Sequence, residues 1–241
     1  IIGRLVGSEM CIRDSMILYE GKAKQIYKTD NPKELVMFFK DDATAFNRTK
    51  EAKFEGKGEL NCSITTKIFE KLNFPKNHFI KKLSKNELLV KKVDIIPLEV
   101  IIRNRAAGTF CTRYGVENGK KLENKIIEFC VKDDSLNDPP ICEDSILALG
   151  ICDYDTLSTL QKYSDFVSDC MTGIMSDIGF ELVDMKLEFG CDDNGDILLA
   201  DEICPDTMRL WENGKSFDKD LFRLDTGDLL QGYREVDRRL R

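Results

Sequence analysis

Histidine is nearly absent: His78 is the only one in 241 residues. That leaves little room for imidazole-based catalysis, and its neighbours Lys76, Asn77 and Lys81 predict a surface position for it. No apolar run reaches 18 residues, so no stretch reads as a membrane-spanning helix. Basic runs are equally missing. With a net charge of −7 the chain lacks the field of a nucleic-acid binder, and attraction to anionic substrates would have to be local. The nine cysteines include no CxxC pair, and an odd, scattered set does not make a disulfide framework. Reduced thiols in a cytoplasmic protein are the simpler account. Neither a Walker A loop nor a dinucleotide fingerprint occurs, since Gly56-Lys57-Gly58 lacks the third glycine. There is no internal repeat and no low-complexity linker. A hydrophobic content of 42% supplies core for one large domain or two small packed lobes.

The most informative stretch is Phe180–Trp211, FELVDMKLEFGCDDNGDILLADEICPDTMRLW. Val183, Met185, Leu187 and Phe189 fall on one face of an extended chain, and Asp184, Lys186 and Glu188 on the other. Ionisable groups about 7 Å apart on one strand face need water, a metal or a ligand. Asn194-Gly195 suits the positive-φ positions of a tight hairpin, which would return Asp201 roughly opposite Glu188. Facing carboxylates repel unless a divalent cation lies between them. An oxygen-only pair suits magnesium, which keeps several waters and takes phosphate oxygens as further ligands. A solvated outer face fits the alternation alone equally well.

Elsewhere, Leu18–Tyr27 reads as two short strands joined around Gly21, with Lys22 and Lys24 beside it. A glycine lets backbone approach a ligand, and lysines two apart share one side. Further strands are expected at Glu34–Lys40, Glu87–Val93, Leu98–Ile102 and Ile126–Val131, the middle two on either side of Pro97. Asp41–Phe46 reads as a turn and Lys50–Glu59 as a charged loop on the substrate side. Helical stripes run through Leu60–Leu72, Leu229–Leu240 and, most clearly, Thr156–Ile178. The last has Leu157, Leu160, Phe166, Val167, Cys170, Met171, Ile174 and Ile178 on one side, with Asp155 as N-cap and Gly179 as stop. Arg103 and Arg105, beside the small residues Ala106 to Thr109, suit carboxylate or phosphate capture, or a solvated sheet edge.

Two long motifs in order, IIPLEVIIRNRAAGT (Ile95–Thr109) and LVDMKLEFG, followed by LADEICPDTMRLW, resemble the signature stretches of the SAICAR synthetase family. The resemblance runs from Met16 to the C-terminus. It implies an α+β, two-lobed fold related to ATP-grasp and kinase-like architectures, with an ATP cleft between the lobes. Residues 16–94 would form the ATP-covering lobe and 95–241 the larger catalytic lobe. It also implies the reaction: ATP, L-aspartate and carboxyaminoimidazole ribonucleotide (CAIR) give the succinocarboxamide SAICAR, ADP and phosphate. By the same resemblance Gly21, Lys22, Ala23 and Lys24 cover the ATP phosphates, and Lys91 and Lys132 lie near the nucleotide. Within that reading Glu188 and Asp201 would hold magnesium, Lys186, Asp184 and Asp206 are the candidate catalytic residues, and Arg103, Thr109 and Arg209 are the candidates to receive the anionic groups of aspartate and CAIR. The partners implied are small molecules, without nucleic acid or membrane, and a homo-oligomer is left open.

Ile1–Ser15 has neither the apolar core of a signal peptide nor the basic amphipathic pattern of a transit peptide. It is read as a non-native extension. Two other classes keep part of the pattern. A carboxylate kinase or ligase for a different acid would lose dependence on CAIR, and a non-catalytic nucleotide binder would show no ATP turnover.

Overall fold

Alternating apolar residues build two antiparallel sheets, one after the other. A computed structural model describes residues 17–46 and 48–241, so the expected extension at Ile1–Ser15 lies outside the described residues. The first sheet takes β1 (Ile17–Glu20), β2 (Lys24–Lys28) and β3 (Glu34–Phe39). A hairpin, β4 (Asp42–Ala45) and β5 (Lys50–Lys53), and helix α1 (Lys57–Lys71) intervene before β6 (Phe79–Ser84) and β7 (Glu87–Lys91) complete the order β1-β2-β3-β7-β6. The chain continues through β8 (Asp94–Arg105), α2 (Thr109–Tyr114), β9 (Lys121–Val131), β10 (Pro140–Ile141), α3 (Glu143–Ala148) and α4 (Tyr154–Asp177). Then come β11 (Glu181–Cys191), β12 (Ile197–Ala200), β13 (Met208–Glu212), β14 (Lys215–Ser216), α5 (Asp220–Arg223) and α6 (Leu229–Arg239). The second sheet has the order β10-β9-β8-β11-β13-β14, with β12 also paired to β11. This is the α+β class expected. Among the described residues no helix is long and apolar enough to cross a membrane.

Strand β11 sits at the centre. On its apolar face Met185, Leu187 and Phe189 join Leu182 in the main core, where α4 packs with Leu157, Leu160, Val167, Met171 and Met175. Val183, expected on that face, is buried outside this cluster because the register shifts between Leu182 and Asp184. Each such side chain contributes roughly 1.5–3 kcal/mol by leaving water. Helix α1 ties the two sheets together. Ile64, Ile68 and Phe69 join the main core, while Cys62 packs with Met37, Phe39, Leu88 and Val90 of the first sheet. Its start is close-fitting: a Cβ at Gly58 would lie 2.4 Å from the Phe39 carbonyl oxygen.

Several expectations are corrected. Asp41–Phe46 is not a turn but contains β4, and Lys50–Glu59 is not a loop but β5 and the first turn of α1. Ala43 and Ala45 are buried against Phe222, Leu229 and Tyr233, and such small side chains give a weak apolar signal in the sequence. Pro97 does not separate two strands; it lies within β8, where the register with β11 shifts between Glu188 and Gly190. A bulge there needs no N–H from the proline. Helix α4 is capped by Asp153, whose carboxylate accepts from the Thr156 amide at 2.8 Å, so Asp155 falls in the first turn. Phe166, placed in the buried stripe, is exposed.

The hairpin after β11 is also longer than a two-residue turn. Asp192 N–H donates to Asp196 O at 3.0 Å and Gly195 N–H to Asp192 O at 2.9 Å, and only Gly195 of the Asn194-Gly195 pair has positive φ. The Asp192 carboxylate accepts the Asn194 and Asp196 amides, which stabilises the wider loop. The register then pairs Glu188 with Ala200, and Asp201 falls one residue beyond. Finally, His78 is not on the surface. It is 4% exposed, because the segment carrying it lies along β12 through Leu199 N–H to Lys76 O and His78 N–H to Leu199 O, both 2.9 Å.

Candidate active site

A cleft of about 920 Å³ opens between the two sheets. One wall carries the β1–β2 turn with Ile26, Leu35, Met37 and Val90, and the other carries the polar face of β11. The strand alternation that turns Met185, Leu187 and Phe189 to the core therefore delivers Asp184, Lys186 and Glu188 to one surface. Of the residues singled out in the sequence, Gly21, Lys22, Ala23, Lys24, Lys91, Arg103, Thr109, Lys132, Asp184, Lys186, Glu188, Asp201, Asp206 and Arg209 line this cleft. Arg105 does not, and its Nε donates instead to Glu181 Oε1 at 2.6 Å.

At one end, lysines and carboxylates interleave. Lys186 Nζ donates to Glu99 Oε1 at 2.5 Å and Glu188 Oε1 at 3.1 Å, and Lys132 Nζ donates to the same Glu188 oxygen at 2.8 Å. Lys24 contacts the carboxylates of both Asp201 and Glu202, and Lys22 reaches Asp134 at 2.6 Å. Burial alone would raise the Glu188 pKa, but Lys186, Lys132 and Lys24 outweigh it and hold it well below the usual range. Burial likewise works against the charge on Lys186, yet Glu188, Glu99 and Asp201 raise its pKa far above the ordinary value. Both groups therefore stay ionised.

At the other end, Asp184 Oδ2 accepts from Arg103 Nη1 and Arg209 Nη1, each at 2.7 Å. Arg103 also donates through Nε to Glu128 at 2.5 Å, and Arg209 through Nε to Asp220 at 2.7 Å. Burial opposes the Arg209 charge, but Asp184 and Asp220 drive its pKa up. The approach of Arg209 requires Gly108: its φ is +58, and a Cβ there would lie 2.5 Å from Arg209 Nη2. Thr109, next to it, opens α2.

Asp206 is already engaged. It accepts from Lys57, from Asn61 Nδ2 at 2.8 Å and from Tyr233 Oη at 2.6 Å. Close by, burial lowers Lys219 to a pKa of about 8 despite the attraction of Asp206. Lys57, Lys219, Glu202 and Asp220 were missed in the sequence. Glycines flanking Lys57 gave it the look of a loop residue, and the others follow breaks in the strand pattern. His78 lines the cleft too, with Nε2 3.1 Å from the Asp201 carbonyl oxygen, and burial lowers its pKa to about 4.

A family profile described as SAICAR synthetase matches residues 17–240. The chain belongs to the SAICAR synthetase family. The phosphoribosylaminoimidazole-succinocarboxamide synthase of Finegoldia magna is 49% identical over 228 residues, covering 93% of this chain and 98% of that protein. The crystal structure of a family member with the same name from Ehrlichia chaffeensis matches with a TM-score of 0.91 at 43% identity, covering 93% of this chain and 98% of that one. A SAICAR synthetase solved in complex with ADP matches with a TM-score of 0.88 at 43% identity, over 92% and 96% of the two chains.

Proposed function

We propose that the chain joins L-aspartate to the carboxylate of CAIR, using ATP, to give SAICAR, ADP and phosphate in purine biosynthesis. The observation that carries this reading is likeness over 93% of the chain to a synthase of that name, together with a cleft whose lysine and arginine ends suit anionic substrates. A carboxylate is a poor acyl donor. Moving the γ-phosphoryl group onto it makes an acyl phosphate, which the aspartate amine attacks with release of phosphate. Such transfer needs positioning and charge neutralisation more than covalent help.

Gly21, Lys22, Ala23, Lys24 and Lys132 would cradle the phosphates, with Lys91 toward the nucleotide base. Lys186 would touch phosphate or the reacting carboxylate, while Arg103, Thr109 and Arg209 would bind the anionic groups of CAIR and aspartate. We read Asp184 as the residue that aligns the two arginines and Asp206 as one that braces the cleft floor. Among the described residues no three His, Cys, Asp or Glu side chains cluster as a metal cage. Two carboxylates, Glu188 and Asp201, nevertheless fit magnesium, which completes its shell with water and phosphate oxygens. When bound, the ion would neutralise charge on the phosphates. We take residues 16–94 as the nucleotide-covering lobe and 95–241 as the catalytic lobe. The eight described cysteines are all free, which supports a reducing, cytoplasmic setting.

Steady-state ADP release, measured with CAIR and aspartate each present or omitted, tests the reaction. Release is expected only when both are supplied with magnesium and ATP. Turnover that continues without CAIR would sink this reading in favour of a kinase or ligase for another acid.

A further inference from the structure

Asp201 occupies an unusual position. Strand β12 ends at Ala200, and Asp201 follows with φ +61, the left-handed region that L-residues other than asparagine and aspartate seldom enter. The direction in which the chain leaves the strand decides where the Asp201 carboxylate points. It points into the cleft, against Lys24.

One side chain holds that backbone from behind. His78 Nε2 lies 3.1 Å from the Asp201 carbonyl oxygen. A carbonyl can only accept, so Nε2 must carry the proton, which fixes the tautomer of a neutral ring. The ring itself is fixed in place. It is 4% exposed and packs with its centroid 5.7 Å from that of Phe69. Its backbone is tied on both sides, by its N–H to Leu199 O at 2.9 Å and by Lys91 N–H to its carbonyl at 2.7 Å. The same histidine thus links the last residue of β7 with the end of β12, the two places from which Lys91 and Asp201 enter the cleft.

We infer that His78 is a positioning residue: its imidazole N–H holds the Asp201 carbonyl, keeps that residue in its left-handed conformation and so presents its carboxylate to the nucleotide end of the cleft. This rests on the reading of Asp201 as a magnesium ligand. The effect belongs to the donor and not to the bulk of the ring, and that distinction makes it testable.

Nucleotide affinity is measured by titration calorimetry with ATP alone and with ATP plus magnesium, beside the melting temperature, for four variants. His78→Phe keeps an aromatic ring against Phe69 and loses the donor; His78→Leu is a second, smaller donor-free variant should the first fail to fold. His78→Gln keeps an N–H donor of similar reach. Asp201→Asn reports on the ligand itself. The expected result is a roughly tenfold loss of the magnesium-dependent part of the affinity in the donor-free variants, with metal-free ATP binding unchanged. His78→Gln should recover most of that loss. If Asp201→Asn loses the magnesium dependence while the donor-free variants keep it, the positioning role is overturned and the ligand assignment survives. Equal loss in His78→Gln and His78→Phe would also overturn it, because packing would then be the cause. If Asp201→Asn retains full magnesium dependence, the ligand assignment fails and the inference with it.

Discussion

Asp184 presents one oxygen to two guanidinium groups, Arg103 and Arg209, and is almost wholly buried beneath them. A carboxylate so occupied is poorly placed to move protons and well placed to hold two cations at a fixed separation. Asp184→Asn keeps an acceptor but loses the charge, and hydrogen bonds to charged groups contribute about 1.5–3 kcal/mol. The KM for CAIR should rise roughly ten- to a hundredfold, while the ATP affinity measured without CAIR stays near wild type because the lysines belong to a separate network. Steady-state kinetics alongside calorimetry will show this; an unchanged KM would remove the arginine pair from substrate binding. At this scale the sequence was legible wherever side chains alternate on one strand. Asp184, Lys186 and Glu188 share a face by geometry alone. His78 was misread because local neighbours suggested water, whereas its burial depends on β12, more than a hundred residues away. No local pattern carries that information.

Among the elements, α1 and α6 are joined to the segment after β12 through Asp206, which accepts from Lys57 and Asn61 of α1 and Tyr233 of α6. Lys57 is fully buried against this partner. Burial would raise the Asp206 pKa, but Lys57 and Lys219 pull it below the ordinary 3.8. A folded pKa below the unfolded one gives stability that is present above pH 3.8 and lost as pH falls below it. Asp206→Asn leaves a buried ammonium unpaired, which costs about 3–5 kcal/mol and should lower Tm by about 10 °C. Its stability should also depend less steeply on pH below about 4. Denaturant titrations from pH 7 to pH 3 measure both; a variant as stable as wild type would return Asp206 to the candidates for chemistry. Long periodic elements were legible, and α4 and β11 lie within a few residues of expectation. The short hairpin β4–β5 was not, because its buried face is made of alanines. The β11–β12 register was not, because the Asp192 carboxylate selects a wider loop than Asn194-Gly195 would by itself.

Across the whole molecule, the lysine end of the cleft and the arginine end flank the same strand, β11, with Lys186 between Asp184 and Glu188. ATP phosphates at the first end and CAIR anions at the second would bring the γ-phosphoryl group and the CAIR carboxylate together over Lys186. That placement favours phosphoryl transfer to the carboxylate before the amine bond forms. In the competing order the amine adds first, and ATP then removes an oxygen from the tetrahedral adduct. Both orders carry a CAIR carboxylate oxygen into phosphate, so labelled oxygen establishes activation without ranking them. Rapid-quench mixing of enzyme, magnesium, ATP and CAIR without aspartate separates the two. ADP is expected in an amount comparable to the enzyme, formed in the first turnover and retained until aspartate arrives. If enzyme-bound ADP appears only after aspartate is added, the acyl-phosphate-first order loses its support.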